Sequence, residues 1–202
     1  MRKSILSKML FVSVLFALLL AACGGSMGTD PAAVNCRAQS TAATEGNYQI
    51  PAPIEGCYNV AFVYVGPHDD GGWTQAHDVG RVYVEQNMEG VHTAYVELVA
   101  EGADSEQVTR SLARKGFDLV ITTSFGYMDG TEAVANEFPD QMFIHISGFK
   151  SNETNFGNLF GAMEVMKYMA GMLAGARAKV DGNPKLGYMA TFPIPEELRL
   201  GN

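Results

Sequence analysis

Short apolar runs alternate with longer amphipathic stretches from residue 59 to residue 190, and this alternation constrains the fold more than any other feature of the sequence. Most of the runs are rich in β-branched and aromatic residues, as in NVAFVYV, which is typical of buried strands. We predict strands at 59–65, 92–99, 118–123, 141–147, 155–160 and 185–190, and helices at 74–88, 105–115, 129–138 and 164–179. Such repeated strand–helix units predict an α/β fold, a Rossmann-like three-layer α/β/α lobe with a mostly parallel sheet.

The helical stretches carry apolar residues at helical spacing, which indicates the faces that pack on the sheet. Thr74 is the predicted N-cap of the first helix and Asp104 that of the second. The residues expected to face inward are Ala76, Val79 and Tyr83 in the first helix, Val108 and Leu112 in the second, and Met166, Met169, Ala170 and Leu173 in the last.

The loops at the carboxyl ends of the strands are the place to look for a binding site, because ligands of parallel sheets bind there. These loops are residues 66–73, 100–104, 124–129 and 147–150. The first is rich in Gly, but it lacks the Lys and Ser/Thr of a phosphate-binding P-loop and carries Asp69 and Asp70, which repel phosphate. It therefore favours a neutral ligand.

Aromatic residues in two of these loops predict a slot for a flat ligand. Trp73, the only Trp of the chain, stands at the turn into the first helix, where it could stack on a ligand or simply pack in the core. In the third loop Gly126 permits close backbone approach, and Phe125 or Tyr127 could face Trp73. Asp129 suits either an N-cap or a ligand contact, and the fourth loop offers the Ser147 hydroxyl and the Gly148 backbone.

Charge and motif content exclude several other functions. The formal net charge of −8 leaves no basic face for a nucleic acid, so we expect no nucleic-acid partner. His68, Asp69, Asp70, His77 and Asp78 lie close in sequence, but no metal-ligand spacing connects them, so we expect neither a metal nor a cofactor. His145, inside a predicted strand, is interpreted as a core histidine.

The N-terminus is typical of an export signal. Arg2, Lys3 and Lys8 precede an apolar run at 9–22 that is too short to span a bilayer, and the run ends in small residues. The sequence LAAC at its end resembles a bacterial lipoprotein box, which implies cleavage after residue 22 and diacylation of Cys23; an ordinary signal peptide with a chance Cys is the alternative.

Small polar residues dominate the stretch after the signal, and we predict a flexible tether over 23–58. Cys36 and Cys57 are then either joined by a disulfide or left as two thiols, and the sequence does not decide between these alternatives.

Four long stretches resemble the basic membrane protein family of purine nucleoside receptor-like lipoproteins. They are VAFVYVGPHDDGGWTQAHDVGR, VAEGADSEQVTRSLARKGFDLVITTSFGYMDGTEAVANEFPD, FIHISGFK and NFGNLFGAMEVMKYMAGMLAG, and they cover most of 60–189. The resemblance implies a type I periplasmic-binding-protein fold, in which two α/β lobes close on a ligand. It also implies the substrate-binding component of an ABC importer, lipid-anchored on the outer side of the cell membrane, with an ABC permease as partner.

The resemblance also implies which residues bind the ligand, a purine base or nucleoside. The residues carried over are Asp70, Trp73, Thr74, Phe125, Gly126, Tyr127, Asp129, Ser147 and Gly148. Trp73-Thr74 replaces the Phe-Asn common in the family, which favours a base over a nucleoside.

The expected organisation is an N-terminal lobe at 59–180 and the start of a second lobe at 181–202, with that lobe largely missing. We expect a monomer without enzymatic activity that binds weakly, because one lobe forms only one wall of the cleft. The alternatives are a ligand sensor that feeds a membrane regulator and a nucleoside hydrolase that uses Asp69 and Asp70.

Overall fold

The computed structural model describes residues 34–39, 42–45, 48–190 and 192–201. The predicted signal peptide and Cys23 lie outside the described residues. In chain order the elements are β1 (Ala42–Glu45), β2 (Tyr48–Pro51), β3 (Tyr58–Val63), α1 (Trp73–Asn87), β4 (Val91–Val96), α2 (Ala103–Lys115), β5 (Leu119–Thr122), a 3₁₀ turn (Phe125–Tyr127), α3 (Met128–Glu137), β6 (Met142–Ile146), β7 (Phe156–Leu159), α4 (Met163–Val180) and α5 (Pro195–Gly201). Of the helices in these ranges, none is both long and apolar enough to cross a membrane.

A five-stranded parallel sheet forms the centre of the lobe and confirms the predicted α/β fold. The strand order is β4-β3-β5-β6-β7, and every neighbouring pair is parallel. Val63 lies opposite both Val96 and Thr122, so the carboxyl ends of three strands are level. The loops that follow these strands therefore meet at one edge of the sheet.

The alternation of side chains along β3 divides the core into two layers, because successive strand residues point to opposite faces. Ala61 and Val63 belong to the larger cluster, which also contains Leu112 of α2 and Val134 of α3. The smaller cluster lies on the α1 side and consists of Val60, Phe62, Tyr64 and Val91. Helices thus cover both faces, as the sequence predicts for a buried parallel sheet.

Helix α1 turns a polar face inward, and the predicted inner face is wrong. Val79 and Tyr83 are 63% and 66% exposed, whereas Thr74 and Asp78 are buried. Asp78 accepts hydrogen bonds from Arg81 Nε at 2.6 Å and from the Tyr64 hydroxyl at 3.3 Å. A carboxylate paired in this way can be buried, so the face of α1 that packs on the sheet is a polar one and not the predicted apolar one.

Helix α4 does not pack as the sequence predicts. Met166 and Leu173, expected in the core, are 64% and 73% exposed, and no residue of α4 is buried. The main contacts of α4 are with α5, so its apolar side chains do not reach the sheet. Residues 185–190, predicted as a strand, pair with no strand within the described part of the chain and are wrongly predicted.

A disulfide between Cys36 and Cys57 decides the alternative that the sequence left open. Their Cα atoms are 5.7 Å apart, and the carbonyl of Cys36 accepts a hydrogen bond from His92 Nδ1 at 3.1 Å. Arg37 donates to the carbonyl of Gln86 at the end of α1. The disulfide therefore attaches this segment to the lobe, although it falls within the range predicted as a tether.

An antiparallel hairpin of β1 and β2 also falls within that range. Ile50 of β2 is buried in the larger core cluster, and its carbonyl accepts a hydrogen bond from Lys115 Nζ at 3.1 Å. The Tyr48 hydroxyl donates to Asp104 at 2.9 Å. Part of the predicted tether is thus integrated into the fold.

Replacing both disulfide cysteines in a Cys36→Ser/Cys57→Ser variant should lower the free energy of unfolding by about 3 kcal/mol. The bridge spans 21 residues of sequence, and its loss restores the entropy of that loop in the unfolded chain. Urea denaturation measures the change. Adding a reductant should destabilise the original chain to the level of the variant and leave the variant unchanged; equal stability of the two oxidised proteins would contradict the prediction.

Candidate functional site

The carboxyl edge of the sheet, defined here as the loops 66–72, 97–102, 123–127 and 147–150, contains most of the residues predicted to bind a ligand. Side chains from three different parts of the lobe, Trp73 at the start of α1, Glu101 in the second loop and His145 in β6, converge on the backbone that follows β5.

Asp70 organises the start of α1. Its carboxylate accepts hydrogen bonds from the backbone N–H groups of Gly72 at 2.8 Å, Thr74 at 3.1 Å and Gln75 at 3.0 Å. These bonds, that of Gln75 above all, lower the pKa of Asp70 to about 2. Asp70 therefore serves the N-terminus of the helix, and Thr74, predicted as the N-cap, lies within the first turn instead, because the cap position is Gly72.

Trp73 links the first loop to the third. Its indole Nε1 donates a hydrogen bond to the carbonyl of Thr123 at 2.6 Å, and the side chain is half-buried. The His77 ring packs against the indole at a centroid distance of 4.7 Å, and His77 Nδ1 lies 2.7 Å from the Trp73 carbonyl. The indole is thus fixed in orientation at the carboxyl edge rather than packed in the core.

Glu101, from the second loop, holds the third loop, and the sequence analysis did not identify it. Its Oε1 accepts hydrogen bonds from the Ser124 hydroxyl at 2.6 Å and from the backbone N–H of Gly126 at 3.0 Å. A Cβ at Gly126 would overlap this carboxyl group, so a larger residue there would displace the Glu101 side chain from these bonds. The position of Gly126 is thus explained by Glu101, with no ligand required.

His145 holds the same segment from the opposite side. It is buried, its Nε2 donates to the Ser124 carbonyl at 2.7 Å, and its Nδ1 accepts a hydrogen bond from Asn158 Nδ2 at 2.9 Å. Burial lowers the pKa of His145, so the ring is neutral at pH 7. A Cβ at Gly148 would overlap this ring, which explains the glycine at the second position of the fourth loop.

The aromatic residues of the third loop separate into two environments. Phe125 is half-buried at the edge, whereas Tyr127 is fully buried in the core and donates its hydroxyl to the Val99 carbonyl at 2.5 Å. Burial raises the pKa of Tyr127. Of the two rings that could face Trp73, only Phe125 is therefore at the surface. Asp129 does not cap α3; it lies in the first turn, 2.9 Å from Lys150 Nζ.

A cavity of about 750 Å³ opens beside Phe125. Ser147 and Gly148 also line it, as do Phe149, Phe160, Glu164 and Arg199, but Trp73 does not. Arg199 lies 4.4 Å from the centre of the Phe160 ring and 3.1 Å from Glu164 Oε2, in an ion pair that lacks hydrogen-bond alignment. The Ser147 hydroxyl, predicted to bind the ligand, donates to Glu196 of α5.

Metal-binding chemistry finds no support in the parts of the chain that the structure describes. There, no three His, Cys, Asp or Glu side chains come together as potential ligands of an ion. His68 instead binds Glu97, with both its backbone N–H and its ring Nδ1 2.8 Å from Glu97 Oε2. The hydrogen bond to Glu97 raises the pKa of His68.

Comparison with known proteins identifies relatives of this chain. A family model described as Bmp, ABC transporter substrate-binding protein PnrA-like, matches residues 57–196. A Haloferax volcanii protein, provisionally named ABC transporter glucose-binding protein TsgA13, is 39% identical over 148 residues, or 73% of this chain and 37% of that protein. The purine-binding protein BAB2_0673 of Brucella abortus is 41% identical over 138 residues, or 68% of this chain and 38% of that protein.

A solved structure of an ABC transporter solute-binding protein from Aeropyrum pernix K1 has a similar fold. The TM-score is 0.61 at 21% identity, over 70% of this chain and 40% of that one. This likeness confirms the predicted type of fold. The chain spans less than two fifths of the length of the curated relatives it matches.

The buried, neutral state of His145 predicts a pH dependence of stability. Since its pKa is lowered in the fold, the unfolded chain binds more protons below about pH 6.5, and the free energy of unfolding should fall as the pH drops from there. A His145→Gln variant should lose less stability between pH 7 and 5 than the original chain, as measured by urea denaturation at each pH.

His68 provides a control of opposite sign. Its pKa is raised in the fold, so its contribution is fully present below about pH 6.5 and is lost as the pH rises through the folded-state pKa. A His68→Gln variant should therefore lose more stability on acidification than the original chain. Identical pH profiles for His145→Gln and the original chain would show that burial of His145 does not perturb its titration.

Proposed function

The chain belongs to the Bmp family of ABC transporter substrate-binding proteins, and from this premise we propose that it binds a purine base or nucleoside and delivers it to an ABC permease. The observation that carries the proposal is the hydrogen bond from the Trp73 indole to the Thr123 carbonyl. This bond holds the indole, a flat ring, at the carboxyl edge, where a planar ligand can stack. The acceptor residue Thr123 stands two residues before Phe125 in the chain.

The names of the two curated relatives suggest different ligands, a purine and glucose. Both can stack on an indole, so Trp73 alone does not distinguish them. Phe125 adds a second ring at the same edge, and Asp70 and Glu101 add negative charge there. Two aromatic rings favour a flat base over a sugar, and the carboxylates disfavour a phosphorylated ligand, so we favour a purine base or nucleoside.

Binding by hinge closure, without bond chemistry, is the mechanism that we propose. The alternative of a hydrolase that uses Asp69 and Asp70 is disfavoured by Asp70 itself. Three backbone N–H groups bind its carboxylate and lower its pKa to about 2, so it is a poor acceptor for a proton from water. The same fold could also present its ligand to a membrane regulator, but no contact among the described residues favours a sensor over a transport receptor.

The site proposed for this ligand comprises Trp73 and Phe125 as stacking rings, with Ser147 and Gly148 at the adjoining cavity. Asp70, Thr74 and Gly126 contribute through the loops that they shape, and Asp129 lies at the exposed rim. Tyr127 supports the loop from below, since its ring is buried. Rings and backbone groups, rather than free charges, would therefore recognise the ligand.

The ligand can be tested with the fluorescence of Trp73, the only Trp of the chain. Adenine or inosine, titrated to millimolar concentration, should quench its emission in a saturable way, because a stacked base lies directly on the indole. By calorimetry, Trp73→Ala should weaken binding by about 1–3 kcal/mol, and Trp73→Phe should retain most of the affinity.

Three results would contradict this proposal. They are saturable binding of glucose without binding of a purine, an unchanged affinity in Trp73→Ala, and release of free base from inosine during incubation with the chain. The first would change the ligand, the second would remove Trp73 from the site, and the third would make the protein an enzyme.

A lipid anchor at Cys23 is the second part of the proposal. The anchor attaches the receptor to the outer side of the membrane, where we propose that it acts as a monomer. The apolar run at 9–22 and the LAAC sequence support it. In a bacterial host fed labelled palmitate, the chain should incorporate label and Cys23→Ser should not. Cys36→Ser, which leaves Cys23 in place, is the matched control; equal labelling of the Cys23→Ser variant would exclude this anchor.

A further inference from the structure

The segment 123–126, which follows β5, is held by side chains from three other parts of the sheet edge. Trp73 binds the Thr123 carbonyl, His145 binds the Ser124 carbonyl, and Glu101 binds both the Ser124 hydroxyl and the Gly126 N–H. The two bonds to Glu101 are made by the residues immediately before and after Phe125. The carboxylate thus brackets the residue whose ring lines the cavity.

Both bonds end on the same oxygen, Glu101 Oε1, at 2.6 Å from the Ser124 hydroxyl and 3.0 Å from the Gly126 nitrogen. One acceptor oxygen at this position is therefore enough to make them, and the negative charge is not required by the geometry. Gly126 is itself exposed, so water could replace the bond to its N–H if Glu101 were absent. Glu101 accordingly does more to order the loop than to stabilise the fold.

We propose that Glu101 is a positioning residue for the ligand site, which fixes the backbone on both sides of Phe125 and so presents its ring to a stacked ligand. This inference rests on the proposed function, because it assigns Glu101 a role in binding at that site. Without Glu101 the loop would have to be ordered when the ligand binds, and the cost of that ordering would lower the affinity.

Two variants of Glu101 separate its position from its charge. Glu101→Gln keeps an oxygen acceptor and removes the charge, whereas Glu101→Ala removes both. Glu89→Ala is the matched control, because Glu89 is an exposed carboxylate that precedes β4, at the opposite edge of the sheet. The measurements are amide hydrogen exchange at Gly126 by NMR and the affinity for adenine by calorimetry, with urea denaturation to check that each variant folds.

In Glu101→Ala the Gly126 amide should lose its protection, and adenine should bind roughly tenfold more weakly, with little change in the free energy of unfolding. Glu101→Gln should restore both the protection and the affinity to within about twofold to threefold of the original chain. Glu89→Ala should match the original chain in all three measurements. Recovery of protection and affinity in Glu101→Gln would show that the position of the acceptor oxygen, and not its charge, orders the loop.

The proposal is overturned if Glu101→Ala leaves exchange at Gly126 unchanged, or if exchange rises while adenine binds as before. It is also overturned if Glu101→Gln binds as weakly as Glu101→Ala, since the charge would then be the cause. If the original chain binds neither a purine nor glucose, the proposed function fails separately, and exchange at Gly126 still decides whether Glu101 orders the loop.

Discussion

The arrangement of the loops at the carboxyl edge depends on the backbone that follows β5. Parallel pairing ends at Thr122, so the next carbonyls have no partner on a neighbouring strand and must be satisfied in another way. Trp73 of α1 supplies the donor for the Thr123 carbonyl. His145 of β6 supplies one for the Ser124 carbonyl, which also accepts a hydrogen bond from the backbone N–H of Tyr127. These hydrogen bonds connect the third loop to α1 on one side and to β6 on the other.

The sequence predicts the sheet and the loops well because both depend on local patterns. The apolar runs locate all five strands of the parallel sheet, and parallel pairing then brings their loops to one edge. The inner face of α1 is predicted wrongly because the Asp78–Arg81 pair, which lets a polar face be buried, is not visible as hydrophobic periodicity. The prediction for helix α4 is wrong for the converse reason. Its apolar residues are spaced as in a helix, but this spacing does not determine whether the helix lies on the sheet.

The sequence identifies only some of the residues that form the candidate site. Trp73 and Phe125 are identified because aromatic residues in loops are conspicuous, whereas Glu101 and His145 bind backbone atoms and leave no motif. Tyr127 illustrates the limit of the argument from residue type. The 3₁₀ turn at Phe125–Tyr127 directs neighbouring aromatic residues to different sides, so one ring reaches the edge and the other enters the core.

The structure also uses charge in a way that restricts the ligand. Asp70 and Glu101 stand at the carboxyl edge, yet both carboxylates are occupied by hydrogen bonds from the chain, Asp70 at the start of α1 and Glu101 at the third loop. Both acidic side chains disfavour an anionic ligand, and the oxygens that bind the chain are not free to bind a ligand. Recognition at such an edge falls to aromatic faces and backbone groups, which suits a neutral planar molecule better than an anionic one.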